Sequence, residues 1–286
     1  MRTRSLYLVV VAVMSAVTLL VAAPGATPGA VSAHNGKIAF VRNGNVWIMG
    51  ADGSHQLQIA EAPFFNWSPN WSPGGKRIAF ASGRDGNDNE IYLMNANGSD
   101  QHAITNNDVD DLSPNWSPDG KRFAFVRDNE DGLWEQVWVM NADGSGAKRL
   151  TRMRDGAQKP AWSPAGNLIA FAGRCIYLIQ PNGTHLRKLP GSRNGDWGPS
   201  WSPGGKRLVF GRNGDIFTIG VNGHGLTRLT RGDYYDSVPD WSPDGKRIVF
   251  ERQLGHRDQI YVMTADGHRI HSISRAGVLP DWQPLR

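Results

Sequence analysis

Cysteine is almost missing from this 286-residue chain; Cys175 is the only one. That excludes an intramolecular disulfide framework and a cysteine-built zinc site. The short signatures of common catalysts are missing too: there is no G-x-S-x-G elbow and no H-E-x-x-H pair. The eight histidines (His34, His55, His102, His185, His224, His256, His268 and His271) are scattered along the sequence. No low-complexity tract accompanies the 34 Gly and 17 Pro, so the chain reads as turn-rich and globular rather than disordered. Nor is there a concentrated charge of one sign. The formal charge is +5, an excess too small and too dispersed to argue for nucleic acid.

The one long apolar run is at the start. Arg2 and Arg4 precede Leu6 to Ala23, and small residues follow up to Val31-Ser32-Ala33. This is the layout of a secretory leader with an A-x-A-like cleavage site after Ala33. An uncleaved anchor is the other reading, since 18 apolar residues could just span a bilayer. No Cys follows the run, which argues against a lipoprotein. The expected division is residues 1–33 as signal peptide and 34–286 as one folded domain, with a mature charge of +3 and no membrane span.

Beyond the leader the phrase P-x-W-S-P-x-G recurs. It reads PNWSPGG at Pro69, PNWSPDG at Pro114, PAWSPAG at Pro160, PSWSPGG at Pro199 and PDWSPDG at Pro239, and a truncated PDWQP follows at Pro280. Its tryptophans stand at 71, 116, 162, 201, 241 and 282, a period of 39 to 46 residues. Each complete phrase precedes a run such as KRIAF, then a second such as EIYLMNANG, then a short third ending near Leu-Thr. The runs are short, rich in β-branched and aromatic residues, and bounded by Gly, Pro, Asn or Asp, which is strand chemistry. None carries a helical period. S-P-x-G supplies a tight turn after the first strand. The Asn-Gly and Asp-Gly pairs at Asn97-Gly98, Asp143-Gly144 and their equivalents are expected to form two-residue type I′ hairpins. Four antiparallel strands per repeat make a propeller blade.

The termini complete the count. Gly36 to Ala60 supplies three strands without a first one, and Pro280–Trp282 is a first strand with nothing after it. Joined, they make a sixth blade and close the ring. The expected fold is therefore all-β: a six-bladed propeller of four-stranded antiparallel blades. Closure removes exposed sheet edges.

W-S-P-D-G-K-R-I-A-F followed by E-I-Y-x-M-N-x-D-G resembles the WD40-like (PD40) propeller repeat of the TolB family of bacterial periplasmic proteins, over residues 35 to 284. The resemblance covers the propeller and not the separate α/β domain that precedes it in TolB. It implies an exported, non-enzymatic protein, periplasmic or extracellular, that binds a protein, peptide or other cell-envelope ligand at the channel mouth, with an envelope protein or peptide as the expected partner. A polysaccharide-active lyase or hydrolase is the alternative that the family implies. A hydrolase domain of the kind found beside propellers in prolyl oligopeptidases is not expected. A monomer without cofactor is expected, with a channel-mouth cation such as calcium the open alternative.

The loops before each first strand are expected to ring that mouth. Five residues ahead of the repeat Trp stand Asn66, Asp111, Ala157, Asp196, Asp236 and Gly277; one residue later come Trp67, Leu112, Gln158, Trp197, Ser237 and Val278. The candidate ligand-binding residues are Asn66, Trp67, Asp111, Asp196, Trp197, Asp236, Tyr234 and Tyr235. A set of carboxylates at one register suits a cationic or aromatic ligand, or a metal held by oxygen. The plainer reading is that each Asp caps its strand through nearby N–H groups. In the doubled NWSP of Asn66–Pro73, Trp71 belongs to the repeat and Trp67 to this variable position. Two further features have bland readings. Asp85 to Glu90 faintly resembles a calcium loop but lacks the spacing of one. The Lys-Arg pairs at Lys76, Lys121, Lys206 and Lys246 read as a solvated edge, with an anionic envelope polymer as the functional alternative.

Overall fold

The computed structural model describes residues 36–61, 65–86, 88–128 and 134–284. The expected leader, residues 1–33, lies outside the described residues. The strands assemble into six four-stranded antiparallel sheets. In five of them the chain order is simple, as in Asn66–Trp71, Arg77–Ser82, Glu90–Asn95 and His102–Ala103. The sixth joins Val278–Trp282 to Ile38–Arg42, with Asn45–Met49 and Leu57–Ala60 completing it, so one blade is built from both ends of the chain. We number the blades by position in the chain, the two-ended blade being blade 1.

The alternation of side chains along a strand leaves both faces of each blade apolar, and those faces meet those of the neighbouring blades. The core is accordingly six clusters, one in each gap between blades. Trp71 packs with Ala39, Val46 and Ile48 of blade 1 and with Ile78 and Phe80 of its own blade. Trp282 packs with Ile38 and Phe40 of its own blade and with Val249, Ile260 and Val262 of blade 6. Every repeat Trp is buried in such a gap, which is the role the repeat assigns to Trp71.

The turn after each first strand forms as its sequence demands. Gly75 N–H donates to Ser72 O at 2.8 Å, Arg77 N–H donates to Ser72 Oγ at 3.0 Å, and Gly75 takes a φ of 61°. At the ring closure Gln283 replaces that Ser. Gln283 N–H donates to Lys37 O at 2.8 Å, as Ser72 does to Arg77, and Gln283 Oε1 accepts Lys37 N–H at 2.9 Å. The departure from WSP to WQP thus keeps two of the turn's bonds across two chain ends.

The outer hairpins differ from expectation. In Asn95-Ala96-Asn97-Gly98 only Gly98 has positive φ, 85°, and Gly98 N–H donates to Asn95 O while Asn95 N–H donates to Ser99 O. This is a type I turn closed by a left-handed Gly bulge, not a type I′ turn. The reason is the neighbour. A Cβ on Gly98 would collide with the backbone oxygen of Ile59 in the preceding blade, so the glycine is required for close approach as well as for φ. Type I′ hairpins do occur elsewhere. Asn43-Gly44 (51°, 73°) and Asn213-Gly214 (51°, 79°) join the second and third strands of blades 1 and 5.

Candidate functional site

The register expected to ring the mouth with carboxylates is buried instead. Asp111, Asp196 and Asp236 are fully enclosed within their blades. Each takes a two-pronged bond from an Arg at the end of the adjacent second strand. Arg127 Nε and Nη2 reach Asp111 at 2.6 Å each; Arg212 reaches Asp196 at 2.6 and 2.7 Å; Arg252 reaches Asp236 at 2.6 and 2.8 Å. This fork-to-carboxylate geometry is the strong form of an ion pair. Each guanidinium also stacks on rings of its own blade, as Arg127 does on Phe125 and Trp138. Asn66 is buried as well, donating to Gly44 O at 2.9 Å and meeting Arg84 at 3.3 Å. In blade 4 both partners are lost together: Ala157 sits where the Asp would be and Gly173 where the Arg would be. The structure thus gives Asn66, Asp111, Asp196 and Asp236 a structural task that occupies their polar atoms. The signal was in the sequence, because Asp and Arg are separated by 16 residues in all three blades.

The aromatic members of the same register behave differently. Trp67 is 38% exposed, Tyr234 51% and Tyr235 59%. Trp197 is partly buried. Phe65 and Trp134, absent from the expected set, are exposed on the same face of the ring. Their seats are glycines. Phe65 lies against Gly44 of the blade 1 hairpin, Tyr235 against Gly214 of the blade 5 hairpin, and Trp134 against Gly156. Phe65 and Trp67 are in ring contact at 5.5 Å, and the Arg252 guanidinium lies 4.8 Å over Tyr234. At Gly44 and Gly214 the absence of a Cβ leaves room for the Phe65 and Tyr235 rings.

Below this rim the six first strands enclose a channel of about 120 Å³. A dry cavity of about 150 Å³ holds one benzene, so the channel admits small groups and a macromolecule is met at its mouth. Each first strand bulges three residues before its Trp, where Ser68, Ser113, Lys159, Gly198, Val238 and Leu279 all have φ between 47° and 60°. Lys159 from blade 4 extends to Ser68 of blade 2, with Nζ to Oγ at 3.0 Å, and so crosses the lumen. Burial pulls its ammonium down to about 8, against the opposing pull of Glu251. Glu251 itself is lifted to about 7 by burial and then by Asp258. One residue before each Trp, the side chains of Asn70, Asn115, Ser200, Asp240 and Asp281 form a second ring. Four of them latch to the next blade: Asn70 Oδ1 accepts Trp116 N–H at 2.9 Å, Asn115 Oδ1 accepts Trp162 N–H at 2.8 Å, Asp240 Oδ2 accepts Trp282 N–H at 2.9 Å and Asp281 Oδ2 accepts Trp71 N–H at 2.8 Å. Burial raises Asp240 to about 6, and burial together with the Asp240 charge raises Asp281 well above the usual carboxylate range.

A family model for the TolB beta propeller domain, PD40, matches residues 18–175 and 173–284. The chain belongs to this PD40 family. Among solved structures it is similar to TolB from Acinetobacter baumannii, at 23% identity and a TM-score of 0.77, covering 90% of this chain and 68% of that one. It is also similar to a TolB of Agrobacterium tumefaciens, at 20% identity and a TM-score of 0.70, covering 85% of this chain and 91% of that one. An oligogalacturonate lyase in complex with manganese shares the fold at 14% identity and a TM-score of 0.58, over 81% of this chain and 70% of that one. Comparison with curated protein sequences finds no match.

In this PD40 propeller none of the described histidines lines the channel. Among the described residues no group of three or more His, Cys, Asp or Glu is set to hold a metal ion. The end of the calcium-like stretch is knitted into the neighbouring loop, whereas both carboxylate oxygens of Asp88 are buried without a hydrogen-bond partner among the described residues. Asp110 Oδ1 accepts from Asn89 N–H and Nδ2 at 2.8 and 2.9 Å, and Asn107 bridges Glu90 and Asp111. Burial lifts Glu90 to about 7. Asn87, within that stretch, lies outside the described residues. Among the described residues no helix is long and apolar enough to cross a membrane.

Proposed function

We propose that this PD40 propeller is an exported, non-enzymatic binding module that takes an envelope protein or peptide on the aromatic rim of its channel. The observation that carries this is the exposed set Phe65, Trp67, Tyr234 and Tyr235 on one face, with Phe65 and Tyr235 against the glycines of the blade 1 and blade 5 hairpins. Aromatic rings are the residues that anchor protein interfaces. The carboxylates of the register are spoken for by arginine, so recognition rests on ring faces and the polar atoms around them rather than on a ring of free charge. The narrow lumen confines a partner to the mouth, with a single small group reaching toward Lys159.

The test is photo-crosslinking in intact cells from a reactive amino acid placed at Trp67, with Leu186, an exposed outer-edge position, as control. A defined adduct from position 67 that is absent from 186, and absent when Tyr234 and Tyr235 are both Ala, supports the rim. Equal adducts from both positions count against it. Accumulation of the protein in the cytoplasm counts against export.

A further inference from the structure

The opposite face of the ring has its own chemistry. The turns between first and second strands carry nine Lys and Arg against two acids, Asp119 and Asp244. The whole chain is only +5, so these short turns hold more positive charge than the protein's total and the remainder is net acidic.

The two cations of each pair have different fates. The arginines are committed to packing. Arg77 lies 5.1 Å over the Trp116 ring of the next blade, Arg122 4.9 Å over Trp162 and Arg247 5.7 Å over Trp282. Arg207 donates to Thr218 Oγ1 at 2.5 Å and to Gly225 O at 3.0 Å. The lysines Lys37, Lys76, Lys121, Lys206 and Lys246 stand exposed. Lys76, Lys121, Lys206 and Lys246 occupy one equivalent position in four of the six turns; Asn167 holds it in blade 4 and Gly36 in blade 1, where Lys37 stands at the arginine's position. Equivalent positions in a propeller share one level along the axis, so these four lysines stand at one level, as a pair on blades 2 and 3 and a pair on blades 5 and 6.

We propose that these two pairs of lysines seat the propeller on the anionic phospholipid surface of a bilayer, leaving the aromatic rim pointing away from the membrane. A planar array of point charges meets a planar charged surface all at once, whereas a linear polyanion would touch two or three lysines at a time. Lysine suits the task because it is a strongly hydrated point charge that asks for no fixed bonding geometry. The field of an anionic leaflet fades within a Debye length; the outer hairpins of the same face, bonded to the lysine turns, add the exposed Asp52, Asp100, Asp143 and Asp266, which the lysines and arginines of the turns outnumber.

The experiment is co-sedimentation of the mature protein with large vesicles of phosphatidylcholine containing 30% phosphatidylglycerol, against pure phosphatidylcholine, at 20 and 500 mM NaCl. Binding to the anionic vesicles alone, abolished at high salt, is expected. Lysine near such a surface contributes roughly five-fold in partitioning. The exposed Lys76/Lys121/Lys206/Lys246→Gln variant should therefore lose at least a hundredfold with an unchanged melting temperature, and the Tyr234/Tyr235→Ala variant should bind as well as the parent. Three results overturn the proposal: no sedimentation of the parent protein, equal sedimentation of the lysine variant, or capture by soluble polyphosphate without capture by vesicles. Vesicle binding lost only in the aromatic variant would mean that the rim, not the lysine face, meets the lipid.

Discussion

Asp281 Oδ2 accepts the backbone N–H of Trp71 at 2.8 Å while its Oδ1 takes Asn70 Nδ2 at 2.8 Å. The last strand of the chain is thereby bolted to blade 2, its neighbour in space and 211 residues away in sequence. The same latch joins blade 2 to blade 3 through Asn70, so an amide does this job as well as a carboxylate. Removing the group leaves a buried N–H without a partner, which costs about 1–3 kcal/mol. Asp281→Ala should thus lower the melting temperature by several degrees, whereas Asp281→Asn should hold it or raise it, because it keeps the acceptor and removes a charge that burial disfavours. Scanning calorimetry of the two variants checks this; equal losses would mean that the latch carries no weight.

The Asp196–Arg212 pair separates a structural register from a ligand-binding one. Truncating one member of a buried ion pair strands the other charge and costs about 3–5 kcal/mol. Asp196→Ala is expected to destabilise by that amount. The double variant Asp196→Ala/Arg212→Gly copies blade 4, where Ala157 faces Gly173, and should recover a clear part of the loss. Urea melts of both read the difference. A double variant weaker than the single one would contradict the pairing argument.

The fold was open to reading because a propeller repeats. Six copies of the Trp phrase fix strand number, blade number and closure before any contact is known, and the terminal fragments at Gly36 and Pro280 fit no other count. The site was less legible because its decisive partners are far apart in sequence or identical in type. A carboxylate ahead of each strand looks the same whether it faces solvent or an arginine; only the constant 16-residue offset to Arg127, Arg212 and Arg252 distinguishes the cases. The turn type failed for a similar reason. Asn97-Gly98 has the composition of a type I′ turn, but the shape is set by Ile59 of another blade, which the local sequence does not contain. Trp67, by contrast, stands at a repeat position that varies in size and polarity, and the structure leaves its side chain partly exposed.

Gly98 and Gly195 offer a controlled comparison. Both have φ near +85°, at 85° and 86°. A Cβ at Gly98 would strike the backbone of Ile59, whereas at Gly195 it would meet nothing within 4 Å. Gly195→Ala should show only the left-handed backbone penalty of about 1–2 kcal/mol. Gly98→Ala should add the separation of two blades and destabilise by clearly more. Denaturant midpoints of the two variants side by side test it, and equal shifts would remove the close-approach explanation for the outer hairpins.

Asp240 makes a prediction in pH. Its folded value, about 6, lies above the usual 3.8 because burial disfavours the charge. A raised carboxylate contributes stability that is fully present below its unfolded value and is lost as pH rises through the folded one. Between pH 4 and pH 6 the protein should therefore lose on the order of 3 kcal/mol through this group. Lys159, depressed to about 8, stays protonated across that window and leaves the slope unchanged. Asp240→Asn keeps an acceptor for Trp282 N–H and a partner for Ser200 Oγ, which lies 2.6 Å from Asp240 Oδ1, and does not titrate. Its stability relative to the parent should rise as the medium goes from pH 4.5 to pH 7.5. Melting curves of both proteins at the two pH values measure the slope, and a constant difference would show that Asp240 keeps an ordinary acidity within the channel.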